Sequence, residues 1–275
     1  MPVAHSPRFR RRRVVVAGVV LTVAGLLMAL GVVLVTGSSP TPVASGPPCQ
    51  ATVAGTSVGL ELDQAQNATT IAAVGKRAGL PDHAVTVALA TAMQESQLRN
   101  LDYGDRDSLG LFQQRPSQGW GTATQVMSPQ HAAEAFYQHL TKVPGWQAMA
   151  VTEAAQRVQH SGAPSAYSRW EADARVLAQA LTGEVPVGLA CRVALPKGTS
   201  LSPSLSGTMT GEVGPAVAPP APSAQGWTTA TWLVGHAQQF GVASVAYGGQ
   251  RWSAVTGVWS TYGGPGADDG GVHVA

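Results

Sequence analysis

Glu95 is the residue whose type and surroundings most suggest chemistry. It lies in the run ALATAMQES, deep in an apolar stretch. At about 100° per residue, Ala84 and Ala88 share its helix face and Thr91 lies close to it. Side chains that small leave a shallow trough beside the carboxylate. Desolvation on so apolar a helix raises a carboxyl pKa and keeps the group protonated near neutrality, as a general acid requires. The alternative is a solvent-facing glutamate, or one half of an ion pair with Arg99 at i+4. Beyond Glu95-Ser96 come the polar loop NLDYGDRDS and the turn Gly110-Leu111-Phe112-Gln113, followed by Gln114. Glycine allows close backbone approach, and amide side chains match the hydroxyl and acetamido groups of sugars; a plain polar turn reads the same way. Trp120, in QGWG, is either a platform for a sugar face or a half-buried core residue.

Other constellations carry less. Asp102, Asp105 and Asp107 lack the calcium-loop spacing and its distal glutamate, so a capped turn with an internal Arg–Asp pair is expected and no metal site. Seven histidines form no HExxH and find no cysteine partners in sequence. No P-loop, dinucleotide-binding glycine pattern or nucleophile elbow occurs, and no cofactor is implied.

The elements that would position these groups are helical. The expected helices are Leu62 to Ala78, His83 to about Leu98, a helix opened by Ser128-Pro129, one opened by Thr152-Glu153, and Tyr167 to Leu181. No strand pattern is read between Cys49 and Cys191, so residues 49–191 are expected to form an all-α domain. Residues 192–226, rich in proline, read as a linker. Residues 227–275 read as a small α+β module: an amphipathic helix from Thr228 to Phe240, then short strands.

The amino terminus sets the compartment. Residues 14–35 contain no charge, and as a helix they span about 33 Å, enough to cross a membrane. The basic tail 1–13 precedes them, which places it in the cytoplasm and everything beyond outside the cell. A cleaved signal peptide is the alternative. Residues 36–48 form a Pro/Ser/Gly tether. The net charge of +2 rests on Arg8 and Arg10 to Arg13; without them twelve basic face fifteen acidic residues. That balance argues against a nucleic-acid partner. Cys49 and Cys191, the only cysteines, both fall on the exported side and are expected to pair; two separate buried thiols are the alternative.

The sequence AMQES-QLRNLDYGDRDS-LGLFQQRP resembles the soluble lytic transglycosylase branch of the lysozyme-like superfamily. It is most similar to membrane-anchored actinobacterial exported proteins containing GDRDSLGLFQQRPSQGWG. The resemblance covers roughly Leu60 to Leu181. It implies an all-α lysozyme-like domain behind a single transmembrane helix, acting on the glycan strands of peptidoglycan. Glu95 would be the catalytic acid, oriented by Ser96. Gly110 and Gln113, with Gln114 and Trp120, would line the glycan cleft. The family's Ala-Tyr-Asn motif has no exact counterpart. EAAQRVQHSG aligns with it, putting Gln159 at the tyrosine position and Tyr167 eight residues later; both are expected at the substrate. A wall-binding or envelope-scaffold module without activity is the competing expectation. The oligomeric state stays open.

Overall fold

The structure, a computed structural model, describes residues 46–215, 223–264 and 269–275. The basic tail 1–13, the apolar run 14–35 and the tether up to residue 45 lie outside the described residues. Among the described residues, no helix is long and apolar enough to cross a membrane.

The chain begins with a hairpin, β1 (Cys49–Val53) and β2 (Thr56–Leu60). Ala54 and Gly55 join the strands with φ of 48° and 83°, the paired positive angles of a tight hairpin turn. Helix α1 (Leu62–Arg77) and helix α2 (Asp82–Ser96) follow. A loop with two short turns leads to α3 (Ala123–Val126), α4 (Pro129–Leu140) and α5 (Val151–Gln159). Ser128 caps α4 and Pro129 occupies its first turn. A 3-10 stretch, Ala166–Trp170, runs into α6 (Glu171–Leu181). Strand β3 (Leu189–Cys191) then returns to pair antiparallel with β1, in a sheet of order β2-β1-β3.

The expectation of an all-α domain is therefore wrong. The region contributes a three-stranded antiparallel sheet, and the chain has a mixed α and β architecture. Cys49, Ala51 and Leu60 are buried at alternating positions, with their neighbours exposed. Cys49 and Cys191 face each other across the β1–β3 pair and are bonded as a disulfide.

The run 192–226 is also more than a linker. It carries α7 (Leu205–Glu212), whose Leu205 and Glu212 are buried. Helices α8 (Ala224–Gly235) and α9 (Ala237–Phe240) lead into β4 (Ser244–Tyr247), β5 (Gln250–Ser253), β6 (Val258–Thr261) and β7 (His273–Val274). These form a second antiparallel sheet of order β6-β5-β4-β7. Residues 227–275 do not stand apart. Residues 46–275 make one compact unit with a continuous core. Trp252 Nε1 donates to the Cys191 carbonyl at 3.0 Å, and Trp259 Nε1 donates to Leu189 at 2.8 Å. Helix α8 lies directly on α1, where a Cβ on Gly235 would come within 2.6 Å of Thr69 Oγ1. A module of about 50 residues is marginal alone, and here it completes the core of the helical region.

Candidate active site

Helix α2 positions the central group. Its buried face consists of small and branched residues, among them Ala84, Ala88 and Thr91, all with no exposed surface. These do not form a trough beside Glu95. Their size lets α5 and α6 pack closely against α2, and the open space lies instead where the helix ends. The C-terminal turn brings Glu95 to a half-buried position, and Gln97 at φ 54° stops the helix.

Two elements converge on the Glu95 carboxyl. The Tyr167 hydroxyl, on the 3-10 stretch before α6, donates to Glu95 Oε1 at 2.7 Å. Gln159, the last residue of α5, also hydrogen-bonds the carboxyl, and its Nε2 donates to the Phe112 carbonyl at 2.8 Å. Burial lifts the carboxyl pKa above its ordinary value; the bonds from Tyr167 and then Gln159 pull it partly back. Tyr167 is itself fully buried. Burial, and next the neighbouring carboxylate, push its phenol above its usual range. Ser161 hydrogen-bonds that same phenol, so Ser161, Tyr167 and Glu95 form a chain.

The loop after α2 forms the opposite wall. Ser96 does not touch Glu95: its hydroxyl donates to the Leu111 carbonyl at 2.7 Å and ties the turn to the helix. Gly110 is buried too, at φ 76°, and a Cβ there would collide with the Val126 carbonyl. Its glycine serves the fold of the turn rather than ligand approach. Gln113 sits at the cleft at φ 48°, donating to the Tyr103 carbonyl at 3.2 Å. Gln114 is buried at the cleft wall. Its Nε2 donates to Ala132, whereas its Oε1 has no partner. Trp120 packs against His139 with ring centres 4.0 Å apart and the planes tilted by 31°.

Together these residues bound a cleft of about 730 Å3. That volume suits a sugar-sized ligand. Glu95, Gln113, Gln114, Trp120 and Gln159 line it. Ser96, Gly110 and Tyr167 support it from behind and do not line it. Sequence reasoning missed Arg106, His139, His160 and Ser161 on its walls. His139 follows Trp120 only through the packing of α4, and nothing in its local sequence marks it.

The aspartates divide. Asp107 accepts from the Ser117 N–H and the Arg115 guanidinium, both at 2.8 Å. Those bonds hold its carboxyl well below the ordinary carboxylate range and give it a structural role. Asp105 is the one other carboxylate among the described residues lining the cleft, and its side chain is 91% exposed. No group of three His, Cys, Asp or Glu side chains among the described residues is placed to hold a metal ion. Tyr137, by contrast, is core: its hydroxyl donates to the Ile71 carbonyl.

No protein-family model matches the chain, and no curated protein matches it in sequence.

Proposed function

We propose that this chain is a cell-wall glycosidase that cleaves peptidoglycan glycan strands by lytic transglycosylation, with Glu95 as both acid and base. The observation that carries the reading is a half-buried carboxyl with a raised pKa, held by Tyr167 and Gln159 at the edge of an amide-lined cleft. The motif resemblance between Glu95-Ser96 and the Gly110–Gln113 turn points the same way. So does an exported location. The disulfide fits an oxidising compartment, and the apolar run 14–35 fits a membrane anchor that holds the enzyme at the wall.

The cleft chemistry favours the lytic route over hydrolysis. A hydrolase needs a second carboxylate, about 5–5.5 Å from the acid for retention or about 6.5–9.5 Å for inversion. Asp107 is engaged by Arg115 and Ser117, and Asp105 is turned to solvent. A single carboxyl suffices for intramolecular attack. Protonated Glu95 gives its proton to the glycosidic oxygen, and the bond from that oxygen to C1 breaks. The resulting carboxylate takes the proton of the 6-hydroxyl of the same N-acetylmuramic acid. The freed oxygen bonds to C1, closing a 1,6-anhydro ring and returning Glu95 to its starting state. No water is consumed. Proximity within one sugar supplies the advantage that a positioned water would otherwise need. Tyr167 and Gln159 hold the carboxyl, and their donated bonds stabilise the carboxylate formed midway. Gln113 and Trp120 offer an amide and a ring face to the strand.

The test is release of soluble fragments from purified cell wall. Wild-type protein should clear the substrate, and Glu95→Gln should not, with unchanged circular dichroism. Full clearing by Glu95→Gln would remove Glu95 from the chemistry. No clearing by either protein would favour a wall-binding module.

A further inference from the structure

The cleft holds two arginines in different states. Arg115 is engaged: its Nε donates to Asp107 Oδ1 at 2.8 Å, and its side chain is 27% exposed. Arg106 is not engaged in this way. Its nearest carboxylate is that of its neighbour Asp105 at 3.9 Å, with side chains 69% and 91% exposed. A pair so long and so solvated contributes little and exchanges partners readily. Arg106 nevertheless lines the same cleft as Glu95.

Its backbone is held in an unfavourable conformation. Arg106 has φ 58°, in the left-handed region that favours glycine, within a turn closed by the Ser108 N–H on the Asp105 carbonyl at 3.0 Å. Gln113 and His160, at φ 48° and 49°, line the cleft in the same region. Tight turns and helix ends hold the same angle at Ala54 and Gln97, so here it marks the turn that carries Arg106 to the cleft.

We infer that Arg106 is a specificity-determining residue that pairs with a carboxylate of the glycan strand, so that the preferred substrate is an anionic glycan rather than a neutral one. The inference rests on the glycan-cleft reading above. A guanidinium presents a planar fork that matches a carboxylate with two parallel hydrogen bonds, which a neutral sugar cannot reproduce. The carboxylate has two sources: the lactyl group of N-acetylmuramic acid in strands stripped of peptide, or the stem peptide where it remains. The other charges facing the cleft are Glu95, Asp105 and Arg115, with His139 and His160. Burial raises the Glu95 carboxyl pKa and Arg115 is paired with Asp107, so Arg106 is the arginine of the cleft left open to a ligand.

The experiment is calorimetric binding to the full-length chain carrying Glu95→Gln, which leaves the strands intact. The probes are peptide-free glycan strands, peptide-bearing strands, and neutral N-acetylglucosamine oligomers of equal length. Anionic strands should bind about tenfold more tightly than the neutral oligomer, a gap of about 1.4 kcal/mol. Raising the salt concentration should narrow that preference, and adding Arg106→Gln should abolish it. Preference for the peptide-free strand assigns the lactyl carboxylate, and preference for the peptide-bearing strand assigns the stem. Equal binding of all three, or a preference that survives Arg106→Gln, overturns the inference and leaves the glycan cleft standing. Absence of binding to all three overturns both.

Discussion

Glu95 depends on its neighbours for its state, and that dependence is measurable at single residues. Tyr167 donates to the carboxylate and lowers a pKa that burial has raised. Removing the hydroxyl leaves burial less opposed, so the carboxyl pKa moves further up. Because the first step uses the protonated form, Tyr167→Phe should shift the alkaline limb of the pH–rate profile to higher pH. It should also lower the maximal rate by about tenfold through lost orientation. A profile whose limb does not move would make Tyr167 merely structural. Ser96→Ala tests a different role. It strips the buried Leu111 carbonyl of a donor at 2.7 Å, at a cost of about 1–3 kcal/mol of stability, read as a lowered urea midpoint. Glu95 drew attention as a carboxylate near the end of an apolar helix, and the linked Gly110–Gln113 turn gave it weight. Ser96 and Gly110 were found for the wrong reason. Their spacing marked the turn correctly, but the Ser96 hydroxyl bonds the Leu111 carbonyl and Gly110 packs its backbone close to the Val126 carbonyl, both behind the cleft. Arg106 and His139 had no signal, since a polar loop and a helical histidine look alike wherever they point.

At the scale of elements, the site is a meeting of the end of α2, the end of α5, the 3-10 stretch before α6 and the loop that Ser96 holds. Their close approach requires the small face of α2. Ala88→Leu should therefore destabilise the protein by about 1–3 kcal/mol through overpacking, read as a lowered urea midpoint, with activity falling in parallel. A neutral substitution would mean that α2 has room the structure does not show. The helices were legible from their spacing and caps, as at Ser128-Pro129. The hairpin of β1 and β2 was not, although CQATV and TSVGL alternate around an Ala-Gly turn. Its glycine and small residues resemble the tether that precedes it. Alternation over five residues is a short signal beside a proline-rich run, and only pairing with β3, more than a hundred residues away, makes it decisive.

At the scale of the molecule, residues 46–275 act as one unit held from both ends. The disulfide closes a loop with a sequence separation of 142 residues. Replacing both cysteines with alanine should cost up to about 4–5 kcal/mol of stability while sparing the catalytic groups. The carboxyl-terminal third contributes a buried polar cluster that binds it to α1. Glu212 accepts from Thr70 and from Trp232, each at 2.7 Å, and His236 is buried beside them. Burial depresses the His236 pKa from 6.5 to about 3. The unfolded chain then takes up a proton that the folded chain refuses. The resulting stability is fully present above about pH 6.5 and is lost as pH falls toward 3, at about 1.4 kcal/mol per pH unit from this residue. The Glu212 carboxyl beside it is raised by burial and acts in the opposite sense, so the comparison decides: the wild-type urea midpoint should lose more between pH 7 and 5 than that of His236→Gln, and parallel profiles would contradict the burial of a neutral histidine. The sequence suggested two domains and a linker because prolines 196, 203, 215, 219, 220 and 222 interrupt it. It could not reveal that Trp252 and Trp259 reach back to the disulfide-bearing strand, since that contact depends on long-range packing alone.

The central claim is cleavage without water, by one carboxyl. The most direct measurement is the mass spectrum of the fragments released from purified peptidoglycan, with the reaction run in water enriched in a heavy oxygen isotope. The lytic account predicts 1,6-anhydro ends, each lighter by one water than a reducing end and free of the heavy isotope. Reducing ends that carry the heavy isotope would contradict it.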